Sequence, residues 1–344
     1  SVLRHLADYL LGRDEAFRIS LAFNPDYLEW GARFLLNCSP GLYRRNARML
    51  SALAHRSQEA MDRLRAETGV EFDHRKAGKL ALFDNSREYD VARRRLDRSQ
   101  DPQRKQRAVS ADECVEIEPA LANWRGAPIA GGLYAPDDEV GDARLFARNL
   151  ARLMQQKYDG KILLKRVVDR ICCDGRHVRG VQCGEVVIEA DAVVVCMGVG
   201  APGLLKPLGV RAPIWPIYGY SITVPCCDGS PQTAITDLGR KMVYSRIGGN
   251  LRVAGFADIG RKPPSEEERI NLLVANACAA MPLSAQYEKM SARWVGMRPS
   301  TPNSLPIVSS APVKGLFLNI GHGMFGWTLA AACAEEIAQM AGVQ

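Results

Sequence analysis

Arg298 is the residue whose sequence surroundings most clearly demand a chemical partner. It stands between Gly296 and Pro299 in an apolar stretch that predicts a strand. A charge in such a stretch is buried only together with an anion, and the planar guanidinium matches the two oxygens of a carboxylate. We therefore expect Arg298 to bind either the carboxylate of a small ligand or an internal Asp or Glu.

A second feature is the glycine-rich turn near the C-terminus. The stretch Leu316–Ile320 predicts a buried strand, and a helix is predicted from Thr328 to Met340. The turn between them allows close approach of the backbone to a ligand, and the helix start offers free N–H groups and a positive dipole end. We expect the following residues to contact a planar or anionic cofactor: Gly321, His322, Gly323, Met324, Gly326, Trp327 and Thr328.

One glycine motif is rejected as a dinucleotide clamp. Gly198-Val-Gly-Ala-Pro-Gly203 matches G-x-G-x-x-G after an apolar run at Ala192–Met197. A clamp needs a following helix and, about 20 residues later, a strand that ends in an acidic residue. Pro202 and Pro207 leave room for a mere turn instead. Gly198 is therefore expected to touch a cofactor without holding its phosphates.

The ten cysteines predict neither a metal site nor a disulfide scaffold. Cys172-Cys173 and Cys226-Cys227 are adjacent pairs in apolar, strand-like runs, and no C-x-x-C occurs. Zinc sites and disulfide frameworks use spaced cysteines. Buried thiols in a reducing compartment, and hence a cytoplasmic location, are the better interpretation.

The overall charge excludes some partners and leaves one open. The chain has 45 Lys and Arg against 38 Asp and Glu, a net charge of +7. Basic residues cluster at Arg93–Arg95 and at Arg104–Arg107 without the aromatic interleaving of nucleic-acid binders. No apolar run reaches the ~20 residues needed to cross a bilayer. A solvated surface is one interpretation of the clusters, and contact with an anionic surface, that of the inner membrane or of an acidic partner, is the other.

The elements that must position these residues alternate between helices and strands. A helix is predicted over Arg44–Glu67 with Gly69 as its C-terminal cap, and a second follows the N-cap residue Asp142. Strands are predicted over Ile162–Ile171, over Ile217–Val224, and over Met242–Phe256 folded at its central glycines. The pattern predicts a mixed α/β fold with an antiparallel-sheet lobe.

The C-terminal sequence resembles the D-amino-acid oxidase superfamily of FAD-dependent enzymes and, within it, the small subunits of bacterial D-amino-acid dehydrogenases. The resemblance rests on Trp294-Val-Gly-Met-Arg298-Pro-Ser-Thr-Pro302 and Gly321-His-Gly-Met-Phe-Gly-Trp-Thr328, with Leu305-Pro-Ile-Val308 between them. Further matches follow the family order along the chain, at Ala77–Phe83, Glu116–Leu121, Gly131–Pro136, Gly141–Asp142 and Pro216–Thr223. Two departures concern turns: Asn303-Ser304 replaces an acidic residue and glycine, and Ser309 replaces another glycine.

This resemblance implies an activity and roles for named residues. It implies FAD as cofactor, oxidation of a D-amino acid to a 2-oxo acid and ammonia, and electron transfer to a quinone or other acceptor. Arg298 would bind the substrate carboxylate, a backbone carbonyl near Met324 would hold the amine, and Gly296 would lie against the flavin. Tyr218 and Tyr244 would cover the substrate, although strand tyrosines commonly serve packing alone. His322 is expected to shape the site rather than act as a base.

The resemblance also implies a division of the chain and leaves alternatives open. We expect a substrate domain at 1–135 and 213–296 and an incomplete, Rossmann-like FAD-binding domain at 136–212 and 297–344. Family members open with a G-x-G-x-x-G segment that nothing before Trp30 resembles, so a partner chain that supplies it is one expectation. Oxidation of glycine, sarcosine, proline or an opine is an alternative function, and a cofactor-free fragment or partner subunit is another.

Overall fold

The computed structural model describes residues 9, 14–20, 22–98, 105–260, 263 and 265–342. The α-helices of this part are Pro25–Asn37 (α1), Pro40–Thr68 (α2), Ser86–Asp97 (α3), Ala111–Ile117 (α4), Ala143–Tyr158 (α5), Ala201–Leu205 (α6), Glu266–Ala280 (α7) and Gly326–Met340 (α8). Its strands are Phe17–Ile19 (β1), Lys79–Phe83 (β2), Arg107–Val109 (β3), Gly131–Ala135 (β4), Arg170–Asp174 (β5), His177–Cys183 (β6), Val186–Glu189 (β7), Val193–Val195 (β8), Trp215–Pro225 (β9), Ala234–Asp237 (β10), Met242–Ile247 (β11), Asn250–Ile259 (β12), Ala292–Ser300 (β13), Ile307–Ser310 (β14) and Leu316–Ile320 (β15).

A large mixed sheet dominates the fold. Its strands follow the order β13-β9-β12-β11-β10-β2-β4-β3, and β1 pairs with β12. One face packs against α7, where Ile222, Tyr244, Leu251 and Leu273 are fully buried. Burial of an aliphatic side chain of this size stabilises the fold by roughly 1.5–3 kcal/mol. The opposite face carries Arg298.

Two smaller sheets complete the core. β8 and β15 are parallel, and β14 lies antiparallel on the other side of β15. Leu205, Leu316 and Ile320 form the buried centre beneath this sheet. Leu316, Leu318 and Ile320 of β15 are buried, whereas Val194 of β8 is exposed. The third sheet, β5-β6-β7, is an antiparallel meander with Gly175 at φ 57° in its first hairpin.

The long helix α2 sets the position of α8. It ends at Gly69, which takes the left-handed conformation at φ 62° predicted for a C-terminal cap. Ala60 is buried in the packing between the two helices, and Arg63 pairs with Glu335 of α8 at 2.9 Å. α8 begins two residues before the predicted start at Thr328, because the glycine-rich turn already adopts helical geometry at Gly326.

Other predictions were confirmed or corrected. Asp142 caps α5 by accepting hydrogen bonds from two backbone N–H groups of its first turn. The strand predicted at Ile162–Ile171 was wrong over most of its length, since β5 begins at Arg170 and alternating apolar residues before it remain exposed loop. The predicted domain boundary at 296/297 falls inside β13, which tolerates Pro299 because it is an edge strand.

The structure describes all ten cysteines and most residues of the two basic clusters. All ten cysteines are free thiols, and burial raises the pKa of Cys114 to about 11. Arg93, Arg94 and Arg95 are exposed on α3, whereas Arg104 lies outside the described residues. None of the described helices combines the length and apolarity that crossing a bilayer requires.

Candidate active site

Arg298 lies near the end of β13, on the face of the large sheet opposite α7. Its side chain reaches across to the neighbouring strand β9 and lies flat over Gly219. A Cβ atom at position 219 would come within 2.5 Å of Cζ of Arg298. Only glycine leaves room for the guanidinium at this point of the sheet, so Gly219 determines where the charge is placed.

The charge of Arg298 has no acidic partner within the described part of the chain. Its Nη1 donates a hydrogen bond to the backbone carbonyl of Phe256 at 3.1 Å, and no Asp or Glu there forms an ion pair with it. Burial lowers the pKa of the guanidinium, with a smaller opposing effect from Tyr220. A half-buried guanidinium without a carboxylate partner is suited to bind an external anion. Of the two sequence hypotheses, the geometry favours the small ligand.

The glycine-rich turn meets the same strand two residues further on. Ser300 of β13 forms a backbone bridge with His322, and a Cβ atom on Gly321 would lie 2.6 Å from the methyl carbon of Thr301. Gly321 and Gly323 have φ angles of 79° and 55°, which glycine adopts without strain. The turn and Arg298 therefore converge on one region, as their expected roles toward substrate and cofactor require.

The loop after β8 joins this region as well. Gly198, at φ 54°, lies against Pro299, with a built Cβ 3.7 Å from the proline ring. A three-residue 3-10 turn at Gly198–Gly200 and the five-residue α6 follow it. This matches the rejection of the segment as an independent dinucleotide clamp. Gly198 therefore contacts β13 directly, at the residue that follows Arg298.

The start of α8 has the properties of a cofactor-binding helix end. No side chain among the described residues caps its N-terminus, so its first N–H groups have no side-chain acceptor there. The preceding turn is open on one side: the nearest atoms to a built Cβ on Gly323 lie 3.6 Å away or more. Asn319, in the strand that leads into the turn, has a buried side-chain oxygen without a partner among the described residues. These features fit the edge of a flavin ring, which accepts and donates hydrogen bonds in one plane.

The remaining predicted cofactor residues lie in this turn in different environments. Met324 and Thr328 are exposed, and Gly326 is the first residue of α8. The indole of Trp327 instead packs edge-on against Phe72 and Phe146, at 5.6 and 5.3 Å between ring centroids. Its side chain therefore anchors α8 to the core, and only its backbone is available to a ligand.

His322 is a half-buried residue of the turn. Burial lowers the pKa of its imidazole below 6.5, so the ring is neutral at neutral pH. Its backbone carbonyl accepts a hydrogen bond from the N–H of Phe325 at 3.0 Å. This environment agrees with a residue that shapes the turn.

The two tyrosines predicted to cover the substrate do not reach Arg298. On β9 and β13, Ile217 pairs with Arg298 while Tyr218 pairs with Met297, so Tyr218 and Arg298 point to opposite faces of the sheet. Tyr244 is fully buried in the core on the α7 side, where desolvation raises the pKa of its phenol. The structure therefore brings neither tyrosine to Arg298, and both pack on the α7 side of the sheet.

Other side chains occupy the face of Arg298 instead. Trp294 lies on the same side of β13, and its indole covers Gly296 so closely that no Cβ would fit there. Gly296 faces Gly219 directly across the strands, so the indole and the guanidinium lie over a cross-strand pair of glycines. Arg252 of β12 donates a hydrogen bond to Ser221 on this face at 3.1 Å. A glycine at corresponding positions of two paired strands was the sequence signal that could have revealed this arrangement.

Comparisons with known proteins agree with this geometry. The family model described as "FAD dependent oxidoreductase" matches residues 31–340. D-amino acid dehydrogenase 2 of Ralstonia nicotianae is 37% identical, covering 98% of this chain and 82% of the relative. D-amino acid dehydrogenase 2 of Pseudomonas aeruginosa is 38% identical, covering 97% of this chain and 79% of the relative.

A solved structure shows the same fold at lower sequence similarity. Glycine oxidase from Bacillus cereus superimposes with a TM-score of 0.72 at 21% identity, over 86% of this chain and 83% of the other. The family match covers most of the chain, including the large sheet, the strand of Arg298 and the glycine-rich turn. The chain therefore belongs to the FAD-dependent oxidoreductase family.

Proposed function

We propose that this protein oxidises D-amino acids to 2-oxo acids and ammonia, with FAD as the cofactor and a quinone or another oxidant as the final electron acceptor. The observation that carries the proposal is the half-buried guanidinium of Arg298, which has no carboxylate partner in the described part of the chain and adjoins the glycine-rich turn. Similarity of 37–38% to two D-amino acid dehydrogenases over nearly the whole chain supports the choice of substrate.

Arg298 binds the substrate carboxylate in this proposal. Its hydrogen bond to Phe256 uses one nitrogen, and its position over Gly219 fixes the plane of the fork. The remaining N–H groups offer two parallel hydrogen bonds to a carboxylate. A substrate tethered in this way has its amine and Cα directed toward the turn, where a backbone carbonyl near Met324 accepts a hydrogen bond from the amine. Positioning of this kind supplies much of the rate in such a site.

The turn residues hold the cofactor. The backbone of Gly321 and Gly323 and the uncapped start of α8 would lie along the flavin, with Gly198 at the neighbouring loop. The positive end of α8 favours negative charge at this edge. FAD supplies the hydride acceptor when it is bound. The imino acid that leaves the site reacts with water to give the 2-oxo acid and ammonia.

Trp294 forms an apolar wall beside the carboxylate site. It is 57% exposed and lies on the same face of β13 as Arg298. An exposed indole that lies flat on a strand is a surface against which an apolar substrate side chain can pack. This arrangement supports amino acids with apolar side chains as substrates.

A substrate panel tests the proposal. The flavin-loaded protein is supplied with a dye acceptor and with D-amino acids, their L enantiomers, glycine, sarcosine and proline. We expect the highest kcat/KM values for D-amino acids with apolar side chains. Preference for glycine, sarcosine or proline would replace the proposed substrate while leaving the cofactor assignment intact, and absence of amine oxidation would refute the function.

The proposal extends to the division of the chain and to its location. The large sheet would form the substrate-binding domain, and the sheets of β8, β15 and β5 would belong to the FAD-binding domain.

We place the protein in the cytoplasm, in peripheral contact with the inner membrane. Exposed Leu28 and Leu36 on α1 support this contact. Flotation with anionic vesicles tests it, and recovery in the unbound fraction would contradict it.

A further inference from the structure

A second arginine, Arg269 of α7, is buried on the opposite face of the sheet from Arg298. It is 1% exposed, and its Nη2 forms an ion pair with Asp258 at 2.7 Å. Its Nη1 donates a hydrogen bond to the carbonyl of Glu15 at 2.5 Å. The phenol of Tyr220 donates to the other carboxylate oxygen of Asp258 at 2.6 Å. The charges of this group are thus compensated internally.

The guanidinium of Arg269 also lies over the ring of Phe256. The distance from Cζ to the ring centroid is 4.6 Å, compared with 5.3 Å to the ring of Tyr220. Phe256 is 3% exposed, so solvent does not weaken this cation–π contact. Arg269 therefore contacts β12 at two points, the carboxylate of Asp258 and the aromatic ring of Phe256.

Between these points β12 departs from regular strand geometry. Its pairing with β9 shifts register between Gly255 and Asp258. Phe256 has φ 61°, a left-handed conformation that a bulky residue adopts only where its surroundings impose it. The ion pair of Arg269 with Asp258 and its contact with the Phe256 ring provide such surroundings. This distortion determines the direction of the Phe256 carbonyl, which accepts the hydrogen bond from Nη1 of Arg298 at 3.1 Å.

We propose that Arg269 and Phe256 are positioning residues for Arg298, acting through the sheet from its opposite face. Arg269 holds the Phe256 ring, the ring holds the left-handed backbone, and the carbonyl of that backbone orients the guanidinium. The inference rests on the proposed function, in which Arg298 binds the substrate carboxylate. Neither residue touches the substrate, so loss of either one weakens recognition of the carboxylate without removing the charge that binds it.

The alternative for this buried group is a purely structural role. A buried ion pair of Arg269 with Asp258 that served stability alone would, when altered, lower Tm and leave substrate selectivity unchanged. Positioning of Arg298 predicts a different result, because the effect is confined to ligands that carry a carboxylate. A carboxylate ligand and its neutral amide separate the two roles.

The experiment compares propionate with propionamide on the flavin-loaded protein, using calorimetry and thermal shift. The variant Phe256→Gly accepts the left-handed conformation but lacks the ring. We expect about tenfold weaker binding of propionate, with propionamide unchanged. Arg269→Lys keeps a positive charge beside Asp258 and should also weaken the binding of propionate. It replaces Phe256→Gly as the test if Phe256→Gly does not fold. Leu80→Ala is the matched control, because Leu80 is a fully buried core residue on β2. It should lower Tm and leave the preference for propionate over propionamide unchanged.

The outcomes distinguish this inference from the proposed function. If the unmodified protein prefers propionate and both variants retain that preference, the positioning role is wrong while Arg298 keeps its own. If the unmodified protein shows no preference for propionate over propionamide, the carboxylate site itself is refuted. Steady-state measurements with a D-amino acid should agree, with a raised KM and a kcat that changes little.

Discussion

The guanidinium of Arg298 lies directly over Gly219 of the neighbouring strand, in space that a Cβ atom would occupy. Two paired strands thereby create a charged site on an otherwise regular sheet face. The flexible end of an arginine, rather than backbone, occupies this space. A side chain at position 219 would therefore move the charge and leave the sheet intact.

Gly219→Ala should weaken substrate recognition without unfolding the protein. The added methyl group displaces the guanidinium, so we expect KM for a D-amino acid to rise about tenfold, with a small change in Tm. Gly249→Ala is the control, because a Cβ at that hairpin position has no atom within 4 Å. Steady-state kinetics and a thermal melt measure both variants. A KM for Gly219→Ala equal to that of Gly249→Ala would mean that Gly219 does not place Arg298.

Gly321→Ala should reduce retention of the flavin. It combines a φ of 79° with a Cβ only 2.6 Å from Thr301, so the turn must move relative to β13. Gly175→Ala carries similar strain at φ 57° in a remote hairpin with open space. We expect both variants to lose stability, by roughly 1–2 kcal/mol from the left-handed backbone. Only Gly321→Ala should lose flavin absorbance on gel filtration, and equal retention would contradict the assignment of the turn.

Replacement of His322 should alter the pH dependence of stability. Burial places the folded-state pKa below the unfolded value of 6.5, so the unfolded chain binds the proton more readily between the two values. Stability is therefore fully present above pH 6.5 and falls as the pH drops toward the folded pKa. We expect His322→Gln to flatten this decline in urea titrations between about pH 7.5 and pH 5.5. Parallel curves for the two proteins would show that His322 is not the group responsible.

Ser304→Gly should stabilise the protein. Ser304 has φ 62°, a left-handed conformation that costs a serine roughly 1–2 kcal/mol and costs glycine little. After the entropic cost of glycine, we expect a gain of about 0.5–1 kcal/mol in the free energy of unfolding. Ser309→Gly is the matched comparison, since Ser309 lies in the extended strand β14 and should lose stability. Equal effects of the two substitutions would contradict this.

The sequence predicted binding roles for Arg298 and for the glycine-rich turn but not the face on which each strand residue lies. Arg298 and the turn are recognisable because buried charge and consecutive glycines each demand a partner. Tyr218 and Arg298 differ by a single step of register between β9 and β13, and one step moves a side chain to the opposite face. Register depends on contacts between strands about 80 residues apart in the chain, which local patterns do not encode.

The sequence also did not predict the irregularity of β12 at Phe256. Phenylalanine rarely adopts a positive φ, and nothing around position 256 marks it as a special turn. Helix ends were predicted more reliably at Asp142 and Gly69, because caps act within a few residues. Local chemistry thus predicted the ends of elements, while the active-site face required the assembled sheet.

The most direct test of the account is Arg298→Lys, measured as kcat/KM for a D-amino acid and for its carboxamide. Lysine keeps the charge but loses the two-pronged geometry of the guanidinium. We therefore expect a lower kcat/KM for the acid, equivalent to a loss of about 2–5 kcal/mol of transition-state stabilisation, and little change in kcat/KM for the amide. Arg252→Lys, on the same sheet face, is the matched control and should leave both values near those of the unmodified protein. Near-normal kcat/KM of Arg298→Lys for the acid would contradict the account.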